Sequence, residues 1–487
     1  MKPIKRLLNE SEIVAILGDP ELTVEGLEFN SQRIQKGWCF VAIKGFRRDG
    51  IEFVREAVAN GANSVISIHP PPADLRDITW IQVKNDRRAL SQMASLFYDN
   101  PSRRMKVIGV TGTNGKTTTV SLISNILNLE AKTASIGTLG MDFADRHLKV
   151  LLTTPEAVEL FRFMAESEQE GCRNLVMEVS SASLSMFRVE DIEFSQGVFT
   201  SFSGDHLDFH QTMENYFEAK LSLFRKLAVN SWAVINIDDA SGPAIVRELN
   251  CKYVSYGFSP TADVRPLKFD FSLSGIKAQL QTPRGKIDIE SPLVGRFNLF
   301  NIMATVASSL VNGVSPANIV AGLKDFRQVR GRMEIVHSGD FHVIVDFAHT
   351  DDALANLLGT IRNLAGRGRM ILVFGAGGDR DKSKRPRMGR VAATGADYLF
   401  LTSDNPRGEA PETILEEIRS GIPAGFDAFE IEADRERAIG KALQRARPGD
   451  FVVLAGKGHE EYQILKSGTI RFSDAEVVRK LLGGGNA

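Results

Sequence analysis

Val107-Ile-Gly-Val-Thr-Gly-Thr-Asn-Gly-Lys-Thr-Thr-Thr-Val-Ser-Leu-Ile-Ser-Asn-Ile-Leu127 is the stretch that decides the fold. Its first five residues are a short apolar run, read as a buried strand. A glycine-containing turn follows, then a helical stretch from about 117 to 127. Gly112 and Gly115 let backbone N–H groups approach phosphate oxygens, and the helix N-terminus adds its positive dipole. Lys116 can reach outer phosphates, and the Thr117 hydroxyl can bind magnesium. The loop departs from the strict Gly-x4-Gly-Lys-[Ser/Thr] pattern, because Val110 stands five residues before Gly115. A Gly-rich helix cap with a solvated Lys116 is the competing reading. The strand before and the helix after favour phosphate binding.

The same strand–loop–helix rhythm recurs outward from this segment. Apolar strands are expected at 174–179, 232–237, 342–346, 370–374, 398–402 and 451–454, with a further buried run at 38–43. Strands alternating with helices predict an α/β fold with mostly parallel sheets. A chain of 487 residues exceeds one ordinary core. The turn-forming Asn100-Pro101 and the segment 331–334 mark two breaks, which predicts three domains at 1–103, 104–334 and 335–487. Residues 483–485 read as a frayed tail.

Composition excludes several classes. The formal net charge is -1, so no bulk attraction to nucleic acid or anionic membrane is expected. No apolar run approaches the roughly 20 residues of a membrane helix. Residues 1–10 carry three basic side chains but no apolar core, so no secretory signal is expected. Cys39, Cys172 and Cys251 are far apart and form no Cys-x-x-Cys pair. A disulfide framework or zinc site is therefore not implied, and a reducing cytosol is the natural compartment.

Further constellations carry chemistry. Glu178 ends the strand Leu175-Val-Met-Glu-Val179, where a carboxylate beside a phosphate loop can hold magnesium. His206, in Ser203-Gly-Asp-His-Leu-Asp208, can be a further ligand as neutral imidazole. A solvated strand-end Glu and a structural His are the alternatives for each taken singly. Three polar loops follow three later strands: Gly375-Ala-Gly-Gly-Asp-Arg-Asp381, Asp404-Asn-Pro-Arg-Gly-Glu409 and Gly456-Lys-Gly-His-Glu460. Arg380 and Arg407 suit a carboxylate, and Asn405 offers planar recognition. Solvated charged turns are the alternative. Convergence at strand ends favours a crevice for a polar, zwitterionic substrate.

Taken together, these segments resemble the Mur ligases, most closely the MurE type. The residues that carry the likeness are 111–118, Thr153-Thr-Pro155, Met177-Glu-Val-Ser-Ser181, Asp205-His-Leu-Asp208, Gly331-Arg-Met-Glu334, Asp346-Phe-Ala-His-Thr350, Gly377-Gly-Asp-Arg-Asp381, Asp404-Asn-Pro-Arg407 and Gly456-Lys-Gly-His-Glu460. They span nearly the whole chain in the family's order. The resemblance implies an ATP- and Mg2+-dependent amide ligase of peptidoglycan synthesis, cytoplasmic and monomeric, without nucleic-acid partner or membrane insertion. Its first domain would bind a uridine nucleotide, its central P-loop domain ATP, and its Rossmann-like third domain an amino acid.

Residue by residue, the resemblance puts Gly112, Thr113, Asn114, Gly115, Lys116, Thr117, Thr118, Asn298, Asn301, Arg332, Asp346 and His349 at ATP. Lys116, Glu178, His206 and Lys220 would be catalytic. Thr117, Glu178, His206 and Lys220 would hold metal, with Lys220 carbamylated. From the residues alone, Lys220 reads as an exposed helix lysine. Ser31, Thr153, Thr154, Ser180 and Arg188 would hold UDP-N-acetylmuramoyl-L-alanyl-D-glutamate. Arg380, Asp404, Asn405, Arg407, Gly456 and Glu460 would hold meso-diaminopimelate, since the Asp-Asn-Pro-Arg form resembles enzymes adding that amino acid. Two departures stand out: Ala182 replaces a family His, and Asn30-Ser31-Gln32 replaces Asp-Ser-Arg. L-lysine as the added amino acid, a MurF-type or folylpolyglutamate synthetase, a catalytically silent paralogue and a P-loop switch or motor remain the alternatives.

Overall fold

The computed structural model describes residues 1–45, 48–75, 77–366 and 368–483. The expected frayed tail at 483–485 lies outside the described residues from 484 onward. Three large sheets follow one another along the chain.

The first sheet comprises β1 (Ile13–Leu17), β2 (Gly26–Glu28), β3 (Trp38–Val41), β4 (Ser64–Ser67) and β5 (Thr79–Val83), in the order β1-β5-β4-β3-β2. Only β1 runs antiparallel to its neighbour.

The central sheet comprises β6 (Lys106–Thr111), β7 (Thr133–Gly137), β8 (Gly140–Phe143), β9 (Arg146–Leu148), β10 (Asn174–Glu178), β11 (Gln196–Phe199), β12 (Trp232–Asn236) and β13 (Lys252–Tyr256). Its order is β9-β8-β7-β10-β6-β11-β12-β13, parallel except for the β7–β8–β9 edge. Alternation along β6 sends Val107 to a core shared with the first unit and Ile108 to the opposite core. Both faces are covered at its centre, which is why β6, β10, β11 and β12 are buried almost throughout, while the edge strand β9 and the start of the edge strand β13 are exposed.

The helix Asp86–Phe97 of the first unit contributes Leu90, Met93 and Ala94 to the core that also holds Phe161 of helix Ala157–Gln169. Arg87–Glu156 at 3.3 Å and Arg33–Glu159 at 3.2 Å bridge the same seam.

An antiparallel three-stranded sheet follows: β14 (Arg265–Ser272), β15 (Gly275–Thr282) and β16 (Gly285–Ser291). Strict alternation in β16 buries Ile287 and Ile289 and exposes Asp288 and Glu290. It was not among the expected parallel strands.

The third sheet comprises β17 (Glu334–Ser338), β18 (His342–Asp346), β19 (Met370–Phe374), β20 (Tyr398–Leu401), β21 (Phe429–Ile431) and β22 (Phe451–Ala455). Its order is β17-β18-β22-β19-β20-β21, parallel but for β17. A hairpin of β23 (Tyr462–Leu465) and β24 (Gly468–Arg471) follows β22. Arg435 and Asp474, both fully buried and 2.7 Å apart, tie the last two helices together, and Arg435 also donates to the Ala455 carbonyl at the end of β22. No helix among the described residues is long and apolar enough to cross a membrane.

Candidate active site

In the central sheet β6 lies between β10 and β11, and all three point their carboxyl ends at one crevice. This is where an open α/β sheet leaves room for a ligand. The loop 112–115 leaves β6 and enters helix Lys116–Leu127. Only glycine fits at two of its positions. Gly112 has φ +152, and a Cβ there would lie 1.9 Å from Thr200 Oγ1. Gly115 has φ +85, and its Cβ would lie 2.4 Å from Asn301 Oδ1.

Two lysines share one carbonyl in this crevice. Lys116 Nζ donates to the Gly112 and Thr113 carbonyls at 2.9 and 2.8 Å, and Lys220 Nζ donates to Gly112 O at 2.8 Å. Burial lowers the Lys116 pKa, with Glu178 pulling it back up. Burial, then the neighbouring Lys116, pushes Lys220 well below the ordinary lysine value. The expectation of an exposed Lys220 is corrected: its side chain is 1% exposed. Helix Met213–Arg225 packs with Tyr216, Lys220 and Phe224 on one buried stripe of period four. That spacing was readable beforehand.

Glu178 ends β10, and its carboxylate accepts from Thr138 N at 2.8 Å and Thr138 Oγ1 at 3.3 Å. His206 follows β11 with φ +54, a left-handed conformation rare outside glycine. Its Nε2 lies 3.5 Å from Asp205 Oδ2. One edge of the imidazole is open to solvent, yet desolvation in the crevice lowers its pKa to about 4 against Asp205, and Lys116 and Lys220 add to the shift. Burial raises the Asp205 pKa, but His206, His349 and Lys384 outweigh it and hold the carboxyl at about 2.

The junction with the third unit, and that unit itself, reach into this crevice. Arg332 donates to Thr117 Oγ1 at 3.1 Å and lies over the Phe347 ring. His349 Nε2 stands 3.9 Å from Asp205. Asp346 accepts from Met333 N and Ala348 N at 2.7 and 2.8 Å and so shapes the junction. Asp352, which sequence reading passed over, accepts from Asn114 Nδ2 at 3.0 Å and Ser203 Oγ at 2.9 Å. Its signal was an acid two residues beyond Thr350, in the first turn of helix Asp351–Ala365.

Asn298 and Asn301 form a buried chain behind the phosphate loop. Thr119 Oγ1 donates to Asn301 Oδ1, Asn301 Nδ2 to Asn298 Oδ1, and Asn298 Nδ2 to Val294 O.

A second group flanks β10. Thr153 Oγ1 lies 3.2 Å from Thr138 Oγ1, and Thr154 Oγ1 donates to Glu178 O at 2.9 Å. Ser180 N donates back to Thr154 Oγ1 at 3.1 Å. Arg188 is buried against Glu156 at 2.9 Å and donates to the Thr154 carbonyl at 3.1 Å. Ser31 stands apart in the first unit, donating to Glu56 at 2.6 Å.

The loops after β19, β20 and β22 do converge. Arg407 donates to Gly378 O at 2.9 Å, and Asn405 donates to Glu460 at 2.8 Å. Arg407 (φ +52) and Asp379 (φ +52) are held left-handed, strain of the kind that gathers at functional sites. Among the described residues neither Arg380 nor Arg407 forms an ion pair. Desolvation, then the neighbouring Arg380, lowers the Arg407 pKa. Lys457, also passed over, is fully buried beneath Asn405, Asp404 and Glu460.

His210 donates or accepts with Ser181 Oγ at 2.9 Å, and burial lowers its pKa to about 4. A histidine so depressed stays neutral in the fold while the unfolded ring protonates near its ordinary 6.5. Its contribution to stability is therefore present above pH 6.5 and lost as the pH falls towards 4. The thermal midpoint should drop across that window, and His210→Gln should make the drop shallower. A pH series of melting curves checks this; an unchanged slope would sink the assignment.

Comparison with known proteins agrees with this geometry. The Mur ligase middle domain matches residues 110–309, and the Mur ligase, glutamate ligase domain matches residues 331–458. A protein of Solibacter usitatus named UDP-N-acetylmuramoyl-L-alanyl-D-glutamate–2,6-diaminopimelate ligase is 43% identical over 472 residues, covering 96% of this chain and 95% of its own. One of the same name from Gloeobacter violaceus is 44% identical over 465 residues, covering 95% and 94%. A solved structure of a protein with that name superposes with a TM-score of 0.67 at 32% identity, over 97% of each chain. A middle-domain match centred on the two-lysine crevice, a C-terminal match ending at the converging loops, and full-length relatives leave one conclusion: the chain belongs to the Mur ligase family.

Proposed function

We propose that the protein joins meso-diaminopimelate to UDP-N-acetylmuramoyl-L-alanyl-D-glutamate at the expense of ATP, in peptidoglycan precursor synthesis in the cytosol. The observation that carries this reading is the crevice itself. A phosphate loop holds two buried lysines, and the converging loops of the third unit hold two guanidiniums, free of ion pairs among the described residues, and a carboxylate. The first suits phosphoryl transfer, and the second suits the carboxylate and ammonium of an amino acid's distal end. The proposed division is three domains at 1–103, 104–334 and 335–487, supported by the succession of three large sheets, with the second boundary one residue inside β17 (Glu334–Ser338).

The terminal carboxylate of the nucleotide-peptide attacks the γ-phosphate, giving an acyl phosphate and ADP. The neutral amine of the amino acid then attacks that acyl carbon, and phosphate leaves. The amides at the helix N-terminus from Gly115 onward and Lys116 bind the phosphates; the Thr113 and Asn114 amides are given to Ser201, and the Lys116 ammonium exchanges its two carbonyl partners for phosphate oxygens. Arg332 from the domain junction and His349 from the third unit close the nucleotide side, and Asp346 holds the junction that aims Arg332. Asn298 and Asn301 support the loop from behind. Ser31, Thr153, Thr154, Ser180 and Arg188 hold the nucleotide-peptide. Arg380, Asp404, Asn405, Arg407, Gly456 and Glu460 hold the diaminopimelate end. Water is excluded as the units close.

The donor set fits magnesium. Among the described residues no three His, Cys, Asp or Glu side chains form a cage, and magnesium needs none: one or two carboxylates with substrate phosphates and water suffice. Thr117, Glu178 and neutral His206 would hold it. Lys220, with its depressed basicity, is suited to react with CO2 and supply a carbamate as a further anion. Magnesium, when bound, offsets charge on the phosphoryl oxygens.

The test is phosphate release from ATP with the nucleotide-dipeptide present, comparing meso-diaminopimelate with L-lysine and weighing the product. Release only with meso-diaminopimelate is expected. Release with L-lysine would overturn the amino acid, and no release with any amino acid would overturn the ligase.

A further inference from the structure

Lys457 stands in the loop after β22 between two left-handed glycines, Gly456 (φ +110) and Gly458 (φ +53). Side chains there would collide with neighbours: a Cβ on Gly458 would lie 2.7 Å from the Phe347 Cβ and 2.8 Å from the Gly331 carbonyl. This turn drives the Lys457 side chain inward, where it is 0% exposed. An isolated ammonium so buried is costly, so its partners matter. It donates to Glu460 Oε2 at 2.9 Å and Asn405 Oδ1 at 3.3 Å, and lies 3.6 Å from Asp404 Oδ1.

These contacts decide how two site groups are presented. Asn405 Oδ1 accepts from Lys457 Nζ at 3.3 Å and from Ile464 N at 2.9 Å, which fixes the amide so that Nδ2 donates to Glu460. Glu460 Oε2 is thereby taken by Lys457 and Asn405, and Oε1 remains towards the Tyr462 hydroxyl at 3.5 Å. Among the described residues Lys457 is the cation within ion-pair distance of Asp404 and Glu460, while Arg407 and Arg435 act on them from farther off.

We propose that Lys457 is a positioning residue for amino-acid selection: by gripping Glu460 Oε2 it presents the other Glu460 oxygen to the substrate's distal ammonium, while Ile464 N holds Asn405 independently. This rests on the ligase reading above and adds to it a residue that need not touch the substrate. A group acting through Glu460 must show coupling to it, whereas a merely structural lysine need not.

The test uses the full-length enzyme and three variants: Lys457→Met, Glu460→Gln and the double change. Lys457→Met should raise KM for meso-diaminopimelate about 10- to 100-fold, the scale of a charge-assisted hydrogen bond, and leave KM for ATP and for the nucleotide-peptide unchanged. The double variant should be no worse than Glu460→Gln alone. An unchanged KM, an equal rise for all three substrates, or additive effects would overturn the proposal. Should Lys457→Met fail to fold, the double variant, which removes one uncompensated carboxylate, decides by comparison with Glu460→Gln: equal KM supports the role, and a further rise overturns it. Wild-type protein that takes L-lysine instead would overturn the substrate reading alone, and the same comparison run with L-lysine still decides the role of Lys457.

Discussion

Lys116→Ala should abolish amide formation, lowering turnover by about a thousandfold or more, the scale seen when a preorganised charge at a reacting centre is removed. The ammonium sits where the phosphate loop meets its helix, bonded to the Gly112 and Thr113 carbonyls. Glu178 favours its charged form against the cost of burial. No other group replaces it. Lys220 shares the Gly112 carbonyl, but its own basicity is pushed well down, so it is a poor substitute cation. Lys116→Arg should not restore activity either, because a planar fork is larger and differently hydrated than a point charge. Product mass and phosphate release measure the effect, with a melting curve to confirm a folded variant. Substantial residual ligation in folded Lys116→Ala would contradict the assignment.

Arg407→Leu should cut kcat/KM for meso-diaminopimelate about 100- to 1,000-fold, the scale of removing one partner from a buried charge pair. Its guanidinium is held by two carbonyls, Gly378 at 2.9 Å and Asn405 at 3.3 Å, and by a left-handed backbone at φ +52. Nearby Arg380 repels it, and among the described residues no carboxylate within ion-pair distance relieves either. A subsite so charged is stabilised by an arriving anion. The loss should fall on the KM for the amino acid, with the KM for ATP unchanged. Arg407→Lys should recover little, because one ammonium cannot reproduce a bidentate contact. An equal loss for every substrate would mean that the change merely disturbs the fold.

Much of this architecture was legible in advance because the elements carry strong local signals. The strand expected at 107–111 and the helix at 117–127 appear as Lys106–Thr111 and Lys116–Leu127. The expected strands at 342–346 and 370–374 appear at those bounds. Fully buried parallel strands need continuous apolar runs, and these stand out. The β14–β16 sheet was missed although Lys286-Ile-Asp-Ile-Glu290 alternates strictly, because attention to long apolar runs overlooks a half-exposed strand.

The α/β class, the phosphate loop, the strand-end loops and the likeness to a ligase family can all be read from the residues in order. Each of these is written in local pattern, in periodicity, glycine placement and short motifs. What those loops meet follows from the packing of the folded chain. That packing buried Lys220 beside Lys116, brought Asp352 to Asn114, drew Arg332 to Thr117 and set Lys457 beneath Glu460 and Asn405. Asn114 and Asp352 are 238 residues apart. Contacts of that separation depend on how sheets and helices pack, and packing is a property of the whole chain that no local window contains.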